Sequence, residues 1–196
     1  MKKEKILIWS LAVLSGLLLS LPYLVPHCGF VALFAFIPLL CADRIATLSG
    51  FRRLWLPVWT SFIVWNTVTT FWVCNATVGG GITAIVLNSL QMLAVWGLYR
   101  LSRRSFNGSL PYIFFAAAWI AWEKAYFAVD ISWPWLTLGN AFARSVYMVQ
   151  WYDTLGSLGG SLWVWASNLL IFGLLTALSD GRWAGFGPRG FNRKAR

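Results

Sequence analysis

The sequence predicts an all-α integral membrane protein, a bundle of about six transmembrane helices. Three observations carry that prediction. The chain is 59% apolar and only 11% charged, whereas a soluble domain carries about 25% charged residues. Its charges cluster between long apolar runs. Its basic residues recur at alternate gaps between those runs, the pattern that the positive-inside rule gives for an even number of spans.

The first two spans share one apolar run. Ile6 to Ala42 is 37 residues without a formal charge, His27 being taken as neutral. One straight helix of that length would measure about 55 Å, against a hydrocarbon core of about 30 Å. The run is therefore divided at Pro22-Tyr23-Leu24-Val25-Pro26-His27, because two closely spaced prolines remove donors and clash with the preceding turn. The remaining spans are expected at 54–73, 82–99, 110–129 and 157–178. No repeat of 20–50 residues is apparent. The expected organisation is a polytopic membrane domain over 1–180 and a basic tail over 181–196.

Orientation follows from Lys and Arg. Three lie in the N-terminal tail (Lys2, Lys3, Lys5) and three after the second span (Arg44, Arg52, Arg53). Three more follow the fourth span (Arg100, Arg103, Arg104), and five lie in the tail (Arg182, Arg189, Arg193, Lys194, Arg196). With six spans all of these face one side, which the rule puts in the cytoplasm together with both termini. Only Lys124 and Arg144 lie elsewhere. The net charge of +10 thus reflects topology and anionic lipid headgroups. Nucleic acid is not an expected partner, since the charges sit in short juxtamembrane loops and not on one folded face. The Lys-rich N-terminus lacks a signal-peptidase site and a second apolar span follows at once, so it reads as an uncleaved first helix.

Few residues offer chemistry. Cys28, Cys41 and Cys74 form no disulfide framework. Apolar packing of free thiols is the expectation; a bridge between Cys28 and Cys74, which both fall near the outer face, is the alternative. One His and three scattered Cys have no metal-ligand spacing, so neither a metal nor a cofactor is expected. Glu123-Lys124 is the only adjacent ionisable pair inside a span. One reading is a polar site near the outer leaflet. The other is a buried hydrogen bond for Glu123, with Lys124 snorkelling to the interface. Glu123, Lys124 and Cys74 bring a Glu–Lys–Cys catalytic triad to mind. Neighbouring helix positions point about 100° apart, which argues against convergence.

Asn88, Gln91 and Asn168 are expected to bond between helices. Gly156 and Gly160, with Gly159 beside them, have the spacing of close helix packing. Trp133-Pro134-Trp135 lies just outside the fifth span. It reads either as an interfacial anchor or as a wall for a lipid acyl chain.

The order of these motifs resembles the membrane domain of bacterial apolipoprotein N-acyltransferase over nearly the whole chain. Leu21-Pro22, Gly29-Phe30 and Ile37-Pro38-Leu39 look like the family's opening hairpin. Trp119 and Glu123 match its Trp-x-x-x-Glu pattern. Ser132-Trp133-Pro134-Trp135-Leu136 followed by Gly139 looks like its Pro-Trp-Leu…Gly signature, and Gln150-Trp151, Gly156, Gly159-Gly160 and Asn168 continue the match.

The resemblance implies acyl transfer at the outer face of the bacterial inner membrane. A phospholipid acyl chain passes to an active-site Cys, and then to the α-amine of a diacylglyceryl apolipoprotein. It implies substrate-binding roles for Trp133, Pro134, Trp135, Gly139 and Glu123. In the family a seventh span leads to a periplasmic nitrilase-like domain carrying the catalytic Glu, Lys and Cys, and an eighth span follows. These 196 residues hold no counterpart, so no catalytic residue is assigned. The expectation is a truncated member inactive alone, or the membrane half of a split system served by a nitrilase-like domain in trans. A non-catalytic scaffold for a separate periplasmic protein or lipid is the alternative. A small transporter ranks last, for want of internal repeats and polar midplane sites.

Overall fold

A computed structural model describes residues 2–129 and 133–178. Ser132 of the tryptophan motif and the basic tail lie outside them. Among the described residues the chain forms six α-helices, joined by short 3-10 turns, and no strand. They are α1 (Lys2–Leu24), α2 (Ile37–Ser49), α3 (Trp55–Thr70), α4 (Val78–Ser105), α5 (Leu110–Tyr126) and α6 (Tyr152–Leu178). Four stretches are long and apolar enough to cross a membrane: Lys2–Leu24, Gly29–Ser49, Val78–Ser105 and Tyr152–Leu178. At 16 and 17 residues, α3 and α5 are about 24–26 Å long. A 3-10 turn over Phe71–Asn75 lengthens α3 at its C-terminal end.

The first two elements separate where the prolines stand, with one difference. α1 continues through Pro22 to Leu24, because a proline this near a C-terminus forfeits one hydrogen bond and no following turn. The second span is itself broken. A 3-10 turn over Gly29–Leu33 precedes α2, which starts with Pro38 in its first turn, where a missing N–H costs nothing. Asn168 of α6 fills the break: its Oδ1 accepts from the Phe36 amide at 2.8 Å and its Nδ2 donates to the Ala32 carbonyl at 2.8 Å. Backbone groups freed in an apolar interior are thereby paired.

Phe36, at that break, is the centre of the aromatic core. It stacks on Trp165 at 4.4 Å and meets Trp119 and Trp65 edge-on. All four side chains are fully buried. The outward faces carry Leu14, Leu17, Ile82, Leu87, Ile113, Leu170 and Leu174 exposed, the surface of a bundle in lipid. The expected interhelical bonds form: Asn88 of α4 donates to Asn66 of α3 at 2.7 Å, and Trp122 of α5 donates to Gln91 of α4 at 3.1 Å.

The two ends of the bundle differ. One holds the N-terminus of α1, the α2–α3 turn and the C-terminal end of α4, and with them the nine basic residues expected there. Their setting departs from the loops expected, because Arg44 lies inside α2 and Arg100, Arg103 and Arg104 in the last turns of α4. The helices run on because Asp43 of α2, 2% exposed, pairs with Arg100 at 2.7 Å and with Arg103. The other end holds the tryptophan motif.

Candidate functional site

The site is a loop of two 3-10 turns, Pro134–Leu136 and Leu138–Phe142, between α5 and α6. Proline sets the first turn through its fixed φ. The Pro134 carbonyl then gathers the loop, accepting from the Thr137 amide, the Thr137 hydroxyl at 2.9 Å and the Asn140 side chain at 2.8 Å. Leu136, Leu138 and Phe142 turn inward and are buried.

A buried loop must pair its backbone, and here other helices supply the partners. The Leu138 amide donates to Glu123 Oε1 on α5 at 2.8 Å. The Gly139 amide donates to Ser161 Oγ on α6 at 3.0 Å. The Gly139 carbonyl accepts from the Tyr152 hydroxyl at 2.9 Å, and the Thr137 carbonyl from the Tyr23 hydroxyl of α1 at 2.8 Å. Three consecutive residues are thus held by four side chains from three helices.

Gly139 allows the close approach. A Cβ built on it would lie 2.0 Å from the Ser157 carbonyl oxygen, and one on Gly160 would lie 3.0 Å from the Gly139 Cα and 1.7 Å from the Tyr152 hydroxyl. Gly160 therefore serves close packing, but against the loop and not against another helix as its spacing suggests. Gly156 does otherwise: it has φ 66° and ψ −177° and kinks α6, with open space where its Cβ would stand. Its role is the left-handed backbone, which a side chain strains.

Glu123 is fully buried. Its Oε1 also accepts from Trp119 Nε1 at 3.1 Å. Lys124 is exposed, so the adjacent pair divides between interior and surface. Cys74 lies against Gly81 of α4, and all three cysteines are free thiols. With Glu123 committed to Leu138 and Trp119, the Glu123, Lys124 and Cys74 set is not assembled as nucleophile and base. Among the described residues no three His, Cys, Asp or Glu side chains gather where a metal ion would sit.

Above this anchored base the loop displays Trp135, 57% exposed, and the half-buried Trp133. Trp72, 47% exposed and extending from α3, stacks on Trp133 at 6.4 Å and meets Trp135 edge-on at 6.0 Å. Phe71 stands beside it, 57% exposed. The sequence reading singled out Trp133, Pro134, Trp135, Gly139 and Glu123, and the fold brings all five into this one loop and its support. It missed Trp72, Tyr23, Tyr152 and Ser161. The signal for Ser161 was its place beside Gly160; the two tyrosines and Trp72 lie in separate segments and carry no local signal.

The family described as Apolipoprotein N-acyltransferase N-terminal domain matches residues 15–170. The apolipoprotein N-acyltransferase of Chlorobaculum tepidum is 34% identical over 171 residues, covering 82% of this chain and 30% of that protein. That of Geobacter metallireducens is 28% identical over 172 residues, covering 84% of this chain and 33% of that protein. The chain thus spans about a third of the length of these two relatives. No solved structure matches it significantly. The matched residues take in both halves of the site, the α5 carboxylate and the tryptophan loop with its α6 support, and the chain belongs to the apolipoprotein N-acyltransferase N-terminal domain family.

Proposed function

We propose that this chain is the substrate-admitting membrane part of an apolipoprotein N-acyltransferase in the bacterial inner membrane. The basic end faces the cytoplasm and the tryptophan end faces outward. The observation that carries the reading is the Trp72–Trp133–Trp135 face, exposed on a base that buried side chains hold fixed. Tryptophan suits the headgroup level, apolar over most of its ring and polar at one edge. A rigid aromatic wall there guides an acyl chain entering sideways from the bilayer. Glu123, Gly139 and Pro134 act by positioning, since each is committed to the loop's own backbone or to close packing.

On this reading the chemistry needs a partner domain. A nucleophilic thiol attacks the phospholipid ester, forming a thioester and releasing a lysophospholipid. The α-amine of a diacylglyceryl apolipoprotein then attacks the thioester, forming an amide and restoring the thiol. A nitrilase-like domain would supply the Cys, Lys and Glu, and these 196 residues alone would not turn over. Reconstitution in phospholipid with a diacylated lipopeptide tests both parts. Mass spectrometry should find no added acyl group with this chain alone, and turnover would overturn the claim of inactivity. A phospholipid with a photoactivatable acyl chain should label the peptides carrying residues 71–75 and 133–142. Labelling spread evenly over the lipid-facing helices would overturn the claim of a guiding wall.

A further inference from the structure

The opposite end of the bundle carries a second site, independent of the tryptophan loop. A cleft of about 290 Å³ opens between the first turns of α1 and the α2–α3 turn. Its lining is Glu4, Lys5, Ile8, Gly50, Arg52 and Arg53, with Ser49 and Phe51 beside them. The turn is built by Gly50, which ends α2 at φ 69°. That conformation folds Phe51 back so that its amide bonds the Ala46 carbonyl at 2.9 Å. Arg52 and Arg53 then follow at the cleft, opposite Glu4 and Lys5 of α1.

Three features fix the chemistry of an occupant. The lining holds three cations against the single acid Glu4, so it favours an anion. Ile8, fully buried, and Phe51, half-buried, close its floor, so part of the occupant is apolar or lies beside apolar surface. The cleft sits where the lipid-facing belt begins: Ile6 is 59% exposed, Leu48 54% and Trp55 54%. Such a tryptophan marks the headgroup level, and basic pockets between helices at that level hold anionic headgroups. The volume is close to the lower end of ligand pockets, about 300 Å³, which suits a headgroup and not a whole lipid.

We propose that this cleft binds a phosphate group of net negative charge, presented by an anionic phospholipid headgroup or as free inorganic phosphate. Lys5, Arg52 and Arg53 provide the charge, and Ile8 and Phe51 the apolar floor. The site is separate from the acyl-guiding face, and the two can fail independently.

The test is native mass spectrometry of the full chain released from nanodiscs of phosphatidylglycerol mixed with phosphatidylcholine, with a second arm in detergent titrated with inorganic phosphate. Retention of phosphatidylglycerol over phosphatidylcholine is expected. The double variant Arg52→Gln/Arg53→Gln removes the charge-assisted hydrogen bonds that the cleft would give a bound phosphate and should lose retention about tenfold or more. The variant Arg52→Lys/Arg53→Lys should keep most of it. The control Lys2→Gln/Lys3→Gln removes the same charge from exposed positions outside the cleft and should keep it too. Saturation by inorganic phosphate without lipid retention would identify the source as the free anion. Equal losses in the cleft and control variants, or no headgroup preference together with no phosphate binding, would overturn the proposal.

Discussion

Glu123 Oε1 accepts the Leu138 amide at 2.8 Å, and this contact ties the end of α5 to the centre of the tryptophan loop. The same oxygen takes the Trp119 indole N–H. Replacing Glu123 by Ala strands two buried donors, at about 1–3 kcal/mol each. Glu123→Gln keeps a carbonyl oxygen at the end of the same side chain and should cost clearly less. Thermal unfolding in detergent checks the order Ala far below Gln. Limited proteolysis should cut the Ala variant within 133–145 before the rest of the chain unfolds. Protection of that loop in the Ala variant would mean that Glu123 does not hold it.

Gly139 and Gly160 face each other across the loop–helix contact, but their alanine variants should differ. At Gly139 the new methyl meets the backbone of Ser157, which cannot turn aside. At Gly160 it meets chiefly the tip of Tyr152, which can move once its bond to the Gly139 carbonyl is given up, and it meets backbone only at the Gly139 Cα, at 3.0 Å. Overpacking costs about 1–3 kcal/mol, and Gly139→Ala should lie at or above the top of that range, with Gly160→Ala nearer the bottom. Denaturation midpoints of the two variants measured side by side decide it.

These two contacts also mark how far the sequence can be read. The apolar runs revealed the helices because a bilayer demands long uncharged segments whatever the neighbours do. Glu123 stood out because a carboxylate inside a span is rare, but its partner lies fifteen residues on and is an amide, which every residue has. Charge misled at the basic end. Arg44, Arg100 and Arg103 read as loop residues, yet all three lie in helices, and Arg100 and Arg103 of α4 reach a buried partner in Asp43. Spacing misled at Gly156, where a left-handed backbone and not helix packing explains the glycine. In each case the missing information was a tertiary partner or a backbone angle, and neither has a local signature.

Asn168 predicts a second kind of sensitivity. It is fully buried and bonds Phe36 and Ala32 at the break in the second span. Asn168→Leu keeps the volume roughly and leaves the Phe36 amide unpaired, which should cost about 1–3 kcal/mol. Asn168→Asp keeps the acceptor for that amide but turns the Ala32-facing donor into a second acceptor. Both variants should lower the melting temperature. Near-ultraviolet circular dichroism should also weaken, because Phe36 centres the stacked tryptophans.

The Asp43 clamp should respond unequally to loss of its two partners. Arg103 is 8% exposed in its side chain and also lies over the Tyr99 ring, whereas Arg100 is 39% exposed. Breaking a buried pair from one side costs about 3–5 kcal/mol, and an exposed pair is worth about 0–1 kcal/mol. Asp43→Asn and Arg103→Gln should therefore destabilise strongly and with little dependence on salt. Arg100→Gln should do little, and added salt should erase what it does. Melting curves at low and high ionic strength distinguish the two arginines.

Trp135 and Trp119 give the sharpest contrast between function and stability. Trp119 is fully buried among Phe36, Phe115 and Trp165, so Trp119→Ala should cost about 3–5 kcal/mol. Trp135 is 57% exposed, and Trp135→Ala should change stability by about 0.5 kcal/mol or less. If the tryptophan face guides acyl chains, Trp135→Ala and Trp72→Ala should nevertheless lower photolabelling of the loop by an acyl-chain probe, several-fold for the pair together. An interfacial anchor predicts another outcome: labelling of the loop would persist and the whole bundle would shift its depth, read as altered labelling along α4 and α6. The same two variants in the same vesicles therefore separate a wall for substrate from a belt that only fixes the protein in the bilayer.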